Sequence, residues 1–115
     1  MKRWVKGTTA YDQSTVINHG PQRFHVKYTV DNDLIHAIQI TEIHPYDDAE
    51  YAWARGIGPQ ITFIRDGKVL DRMTIADFDE EYYETFDEYL ADTFDAIAVE
   101  LMNFNKDVKP VMVHN

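Results

Sequence analysis

Apolar residues alternate with polar ones through the stretch "RFHVKYTVDNDLIHAIQITEI", and this pattern predicts a β-hairpin. In the first arm, Phe24 to Val30, every second residue is apolar, and the alternation resumes after the polar loop at 31–33. A three-residue loop would pair Val30 with Leu34 and Tyr28 with His36. It keeps the apolar sets of both arms on one face, whereas a two-residue loop separates them. We therefore expect the three-residue loop.

A second hairpin is predicted by "QITFIRDGKVLDRMTI", in which two β-rich arms flank Asp66-Gly67. This dipeptide is a preferred two-residue hairpin turn, and it would place Ile64 opposite Val69 and Phe63 opposite Leu70. Upstream, residues 3–10 are expected to form a first strand. A turn is expected at residues 18–21, Asn-His-Gly-Pro.

Between the hairpins, "PYDDAEYAWARG" at residues 45–56 predicts a short helix. Pro45 suits the first helical position, and three acids follow in the first turns, where the helix dipole favours negative charge. Gly56 can provide the left-handed cap that ends many helices. Gly58-Pro59 then breaks the chain before the second hairpin.

A long amphipathic helix is predicted from Asp77 onward, with Asp77 and Glu80 as a candidate capping box. Spacing at about 100° per residue separates an apolar face from an acidic one. The predicted core face comprises Phe78, Tyr82, Phe86, Tyr89, Leu90, Ile97, Leu101 and Phe104, and the acidic stripe comprises Asp77, Glu81, Glu84, Glu88, Asp92 and Asp95.

These elements predict a single α+β domain over residues 1–115. An antiparallel sheet of hairpins would be covered on one face by the long C-terminal acidic amphipathic helix, with the short helix between the hairpins. The chain length of 115 residues fits one domain, and 44% hydrophobic residues suffice for one core. The tail at 107–113 is expected to add an edge strand, because Pro110 would confine it to an edge.

The composition narrows the classes of function. There are no cysteines, which excludes a disulfide framework and thiolate chemistry and favours a reducing compartment. The N-terminal segment lacks a signal peptide's apolar region, and no apolar run is long enough to span a membrane. We therefore expect a soluble cytoplasmic protein without membrane contact.

Candidate catalytic and metal-binding residues are weakly supported. His36 alternates with apolar residues, which predicts a hydrogen-bonded core histidine rather than a ligand. His44 precedes Asp47 and Asp48, but the same acids suit a helix start, so a metal site is disfavoured. Ser14 is the only serine and lacks a nucleophile motif. No catalytic residue, metal or cofactor is expected, and enzymatic activity is left open with a preference against it.

The negative charge is concentrated in one segment. Residues 77–105 hold ten of the 20 acids and none of the 11 bases, so the remaining chain carries ten acids against 11 bases. If residues 77–95 were helical, eight like-charged pairs would lie three or four positions apart and cost about 2–4 kcal/mol of repulsion. A helix patterned against its own stability suggests a face used for binding.

The sequence therefore predicts a small acidic, non-enzymatic protein-interaction module. The acidic stripe, flanked by Tyr83 and Phe94, would bind a basic protein surface, and one form of this hypothesis is an inhibitor that covers a nucleic-acid-binding surface. Direct nucleic-acid binding is not expected, because the lysines and arginines are scattered along the sequence and the net charge is −9. Two alternatives are a small enzyme or ligand-binding domain with a pocket near Tyr28, His36 and Trp53, and a homo-oligomeric structural protein.

Overall fold

The fold is a six-stranded antiparallel sheet with one helix packed on it, so the predicted α+β class is confirmed in its main features. A computed structural model describes residues 10–44 and 51–108. Neighbouring strands in the sheet follow one another in the chain, in the order β1 to β6. The strands are β1 (Ala10–His19), β2 (Gln22–Asp31), β3 (Leu34–Glu42), β4 (Trp53–Ile57), β5 (Gln60–Arg65) and β6 (Lys68–Thr74), and the helix α1 spans Phe86–Asn105.

Two predicted turns are confirmed. The chain turns between His19 and Gln22, and Asp66-Gly67 closes the β5–β6 hairpin with positive φ at both positions, 53° and 71°. These angles belong to the turn type that matches the twist of a hairpin. Ile64 pairs with Val69 as predicted, but a bulge then places Phe63 opposite Asp71 rather than Leu70.

The predicted register of the β2–β3 hairpin is wrong. Its loop has two residues, Asn32 and Asp33, with φ of 54° and 60°. The one-residue mismatch is absorbed by a β-bulge at His36, beyond which Tyr28 pairs with Ile38. The bulge keeps both apolar sets on one face and leaves His36 exposed, so His36 is not the core histidine that the sequence predicted.

The prediction of a short helix between the hairpins is also wrong at the residues that the structure describes. Residues 53–57 form strand β4, in which Ala54 and Gly56 face the core. A Cβ at Gly56 would lie 2.3 Å from Ile61 Cδ1 and 2.8 Å from the Gln60 carbonyl oxygen, so this glycine allows close strand packing rather than capping a helix. The first part of the predicted helix, the end of the tail strand and the predicted first strand at 3–10, except for Ala10 where β1 begins, lie outside the described residues.

The helix begins nine residues later than predicted. Thr85 is the N-cap, and its side chain and that of Glu88 form a reciprocal capping box. The predicted box of Asp77 and Glu80 is wrong, because residues 77–85 form an irregular segment with a turn at its centre. There the Asp79 carbonyl oxygen accepts hydrogen bonds from two following amides, and Tyr82 is 76% exposed rather than buried.

One face of the sheet packs against α1 to form the core. The helix contributes Tyr89, Leu90, Phe94, Ile97, Ala98 and Leu101, and the sheet contributes fully buried residues such as Phe24, Val26, Ile40, Ile61 and Phe63. In the part of the chain that the structure describes, no helix combines the length and apolarity needed to cross a membrane. The opposite face of the sheet is not covered by α1.

Replacement of Thr85 by alanine tests where the helix begins. We expect Thr85→Ala to lower the free energy of unfolding by about 0.5–2 kcal/mol, because the Glu88 amide in the first turn loses its acceptor, the Thr85 hydroxyl oxygen. Asp77→Ala, at the position of the predicted cap, should change it by less than about 0.5 kcal/mol. Chemical denaturation of both variants makes the comparison, and equal losses would contradict the observed helix start.

Candidate functional site

The acidic stripe predicted from the sequence is exposed at every position in the structure, although only half of it is helical. We call it the acidic face. Three of its carboxylates precede the helix and three lie on α1, and all six residues are exposed. They are Asp77, Glu81 and Glu84 in the segment before the helix, and Glu88, Asp92 and Asp95 on the helix.

The repulsion expected along this stripe is much smaller than the sequence suggested. Of the eight like-charged pairs, only Glu88–Asp92 and Asp92–Asp95 have both members on α1. Their cost is about 0.4–1 kcal/mol together. Asp87 and Glu88 lie in the first turn, where the helix dipole stabilises negative charge. The acidic pattern therefore suits the N-terminal half of the helix, and self-repulsion no longer argues for a binding face.

What supports a binding face is the absence of neighbouring cations. Among the described residues, no lysine or arginine forms an ion pair with the acidic face. His19 is the basic residue that contacts it within the described part of the chain, with Nε2 3.4 Å from Asp95 Oδ1, and this histidine is charged only when protonated. The negative charge of this surface is therefore not neutralised by a lysine or arginine of the described residues, and its field extends into the solvent.

Two tyrosines adjoin the carboxylates. Partial burial, together with a hydrogen bond to the Asp92 carboxylate, raises the pKa of Tyr83 above its ordinary value. The Tyr83 ring packs edge-on against Tyr82, with ring centroids 4.8 Å apart. Tyr82, which the sequence placed in the core, is therefore the exposed aromatic residue of this surface. Helical periodicity misplaced it because the chain is not helical there.

Phe94 does not belong to this surface. Its side chain is 3% exposed and packs against Tyr28, with ring centroids 4.9 Å apart. The predicted role of Phe94 as a partner-contacting residue is wrong, because the ring lies between the helix and the sheet. The acidic face is therefore flanked by Tyr82 and Tyr83 alone.

A polar cluster joins the end of α1 to the sheet. Asn105, which is buried, accepts a hydrogen bond from the Ala52 amide at 2.7 Å and donates one to Glu42 at 2.9 Å. The Glu42 carboxylate lies 3.2 Å from His44 Nε2, and the His44 ring stacks on Tyr51 at 3.5 Å. No sequence pattern indicates Asn105, whose role follows only from where the helix ends.

The pocket considered near Tyr28, His36 and Trp53 does not form from these three residues. Tyr28 faces the helix, whereas Trp53 lies on the opposite face of the sheet. His36 lines a cavity of about 290 Å³ at the β2–β3 turn, and neither of the other two side chains borders it. The alternative of an enzyme or ligand-binding domain therefore loses the site that the sequence proposed for it.

The structure assembles no metal centre in the region it covers. Within residues 10–44 and 51–108, no three histidine, aspartate or glutamate side chains cluster closely enough to hold a metal ion. Asp47 and Asp48, which the sequence analysis considered beside His44, lie outside those ranges.

Comparisons with protein-family models, curated proteins and solved structures found no match to this chain. The function is therefore inferred from the surfaces of the molecule. Two of these stand out by their chemistry: the acidic face and the uncovered face of the sheet.

Proposed function

We propose that this domain is a non-enzymatic protein-interaction module that binds a basic protein surface through its acidic face. The observation that carries the proposal is that six exposed carboxylates form one surface to which no lysine or arginine of the described chain is paired. Such a surface gives fast, salt-sensitive association with a positively charged partner.

Aromatic side chains beside the carboxylates would add contact area to the charge-based recognition of a partner. Tyr82 and Tyr83 lie beside the carboxylates, and Tyr82 is 76% exposed. Tyrosine is enriched at interface centres because its large ring adds contact area with few rotatable bonds. The pair would therefore anchor the partner while the carboxylates orient it.

A narrower form of the proposal is that the partner surface normally binds nucleic acid. On α1, successive acids at positions 88, 92 and 95 lie about 5–6 Å apart along the helix. A line of hydrated negative charges at this spacing can occupy lysines and arginines that otherwise contact phosphates. The domain would then act as an inhibitor of its partner.

Charge reversal at the acidic face tests the proposal. In Glu84→Lys/Asp92→Lys, two exposed carboxylates are inverted while Glu88 is kept, because it closes the capping box. Proteins that the wild-type domain retains from a cell extract at low salt and releases at high salt should bind the variant about tenfold or more weakly. Quantitative mass spectrometry of the eluates, followed by affinity measurement on the purified candidate, gives the result.

The matched control is Asp71→Lys/Asp107→Lys, which changes the net charge equally at exposed positions away from the acidic face. It should retain the same proteins as the wild type. If both double variants lose the same partners, total charge rather than this surface governs binding, and the proposal fails. It also fails if neither variant loses any.

A further inference from the structure

The uncovered face of the sheet collects basic residues that are far apart in the sequence. Directly paired residues of neighbouring strands point to the same side of a sheet, so the register defines rows across it. Lys27 pairs with Gln39, Gln39 with Arg55, Arg55 with Thr62, and Thr62 with Arg72. One row, which we call the basic row, therefore places Lys27, Arg55 and Arg72 on alternate strands.

The three cations of the basic row are exposed and regularly spaced. Lys27, Arg55 and Arg72 lie on β2, β4 and β6, so their backbones are about 10 Å apart at the usual separation of neighbouring strands. None of them forms an ion pair within the described residues. The row therefore presents a line of positive charge about 20 Å long, which no acid of the described residues neutralises.

The described residues of this face carry a net positive charge. Strand alternation also puts Arg23 on it, giving four lysines and arginines against the carboxylates of Asp12 and Asp31. These carboxylates lie towards one end of the face, beyond the basic row, and Asp12 already accepts a hydrogen bond from Thr29 at 2.6 Å. The basic row itself contains no acid.

Aromatic side chains run beside the basic row. In the adjoining row His25 pairs with Thr41, and Thr41 with Trp53, so both rings lie on the uncovered face and both are partly exposed. The Arg55 guanidinium carbon lies 5.9 Å from the centre of the Trp53 ring. A planar guanidinium next to an indole offers a phosphate contact and a stacking surface at one place.

The face also has room for an extended ligand. An open depression of about 660 Å³ crosses β1 to β4, with Lys27 and Arg55 among its lining residues. Ser14, Thr29 and Gln39 add hydroxyl and amide groups to the lining on this side, which also includes the Asp12 carboxylate and the apolar Ile57. Hydroxyl and amide groups hydrogen-bond phosphate and sugar oxygens.

We propose that the uncovered face of the sheet binds single-stranded nucleic acid, with phosphates on the basic row and a base stacked at Trp53. A single-stranded nucleic acid fits this face because its unpaired nucleobases can reach His25 and Trp53 while its phosphate backbone follows the basic row. The sequence predicts no nucleic-acid binding, because the lysines and arginines are scattered along the chain. The sheet register brings three of them into line.

The net charge of −9 does not prevent such binding at physiological salt. Three carboxylates of the acidic face lie on α1, which packs on the other side of the sheet, and a helix with its side chains is about 10–12 Å across. Its outer carboxylates therefore lie more than the Debye length of about 8 Å from a strand on the basic row. Their repulsion is largely screened.

Binding of a fluorescein-labelled single-stranded oligonucleotide to the intact chain, followed by fluorescence anisotropy across a salt series, tests this inference. Three phosphate contacts predict that log K falls with log salt with a slope of about −2. Each single replacement, Lys27→Gln, Arg55→Gln or Arg72→Gln, should reduce the slope by about 0.7. Lys68→Gln, an equal charge change at the β5–β6 turn, should leave it unchanged.

A second readout tests stacking at Trp53. In Trp4→Phe the tryptophan fluorescence comes from Trp53 alone, and the oligonucleotide should quench it. In a separate binding measurement, Trp53→Leu should weaken binding about tenfold. Circular dichroism of each variant establishes that the fold is kept. Absence of binding at low salt, or equal slopes for the wild type and the basic-row variants, would overturn the inference. So would equal affinity for a duplex of the same sequence, because its bases are not free to stack.

The two proposals fail separately. Glu84→Lys/Asp92→Lys should retain oligonucleotide binding with an unchanged Trp53 response, since those carboxylates are on the other side of the sheet. Lys27→Gln should likewise retain the protein partners of the acidic face.

Discussion

Replacement of Phe94 by alanine should destabilise the domain by about 3–5 kcal/mol, the cost of removing a fully packed phenylalanine ring and leaving a cavity. The ring is 3% exposed and packs on Tyr28, so it lies where α1 meets the sheet. Because small domains have only about 5–15 kcal/mol of stability in total, the loss should lower the melting temperature by about 10–20 °C. Thermal and denaturant unfolding followed by circular dichroism would measure it.

Tyr82→Ala is the matched control for Phe94→Ala. It also removes an aromatic ring, but from a residue that is 76% exposed, and should change stability by less than about 0.5 kcal/mol. Conversely, Tyr82→Ala should weaken binding of a partner at the acidic face, whereas the sequence assigned the surface role to Phe94. Equal destabilisation by the two variants would contradict the observed placement of both rings.

The hairpins were predictable because their signals are local. Asp66-Gly67 and the alternating residues of β2 indicate turn and strand without reference to the rest of the chain. The bulge at His36 was not predictable in this way. It adds one residue to β3, and it is favourable because the apolar sets of β2 and β3 must share a face when α1 packs on them.

Local signals misled in the other elements. The sequence at 45–56 has helical caps at both ends, yet Trp53–Ile57 pairs with strands on both sides. Strand pairing and burial of Ala54 outweighed helix propensity, which is worth less than about 1 kcal/mol per residue. Likewise, Asp77 and Glu80 have capping-box spacing, but Thr85 and Glu88 have it too, and the second pair caps the helix.

The candidate sites likewise differ in whether a local sequence pattern indicates them. Charge segregation at 77–105 is visible in the sequence, so the carboxylates of the acidic face could be identified residue by residue. The basic row could not, because Lys27, Arg55 and Arg72 become neighbours only through the registers of four strand pairs. Arg55 in particular lies at the end of the helix predicted at 45–56, where its charge would interact with the helix dipole instead.

Replacement of the buried Asn105 should also destabilise the domain strongly. In Asn105→Ala the buried Ala52 amide loses its acceptor and the Glu42 carboxylate loses a donor. An unsatisfied buried donor costs about 1–3 kcal/mol, and a hydrogen bond to a charged group contributes about 1.5–3 kcal/mol. Because these terms are not additive within one network, we expect a total loss of about 2–4 kcal/mol in denaturant unfolding. Asn103→Ala, at an exposed position two residues earlier, should cost less than about 0.5 kcal/mol.

Asn105→Asp separates hydrogen bonding from packing, because it keeps the volume of the side chain and replaces its amide donor. The new carboxyl group would be buried beside Glu42, so its pKa in the folded state should rise above the unfolded value of about 3.9. A raised folded pKa means that stability is retained below about pH 4 and lost as the pH rises through the folded pKa. Asn105→Asp should therefore approach the wild type in acid and fall furthest below it near neutral pH, whereas the deficit of Asn105→Ala should vary much less. Equal pH dependence of the two variants would show that Asn105 acts by packing alone.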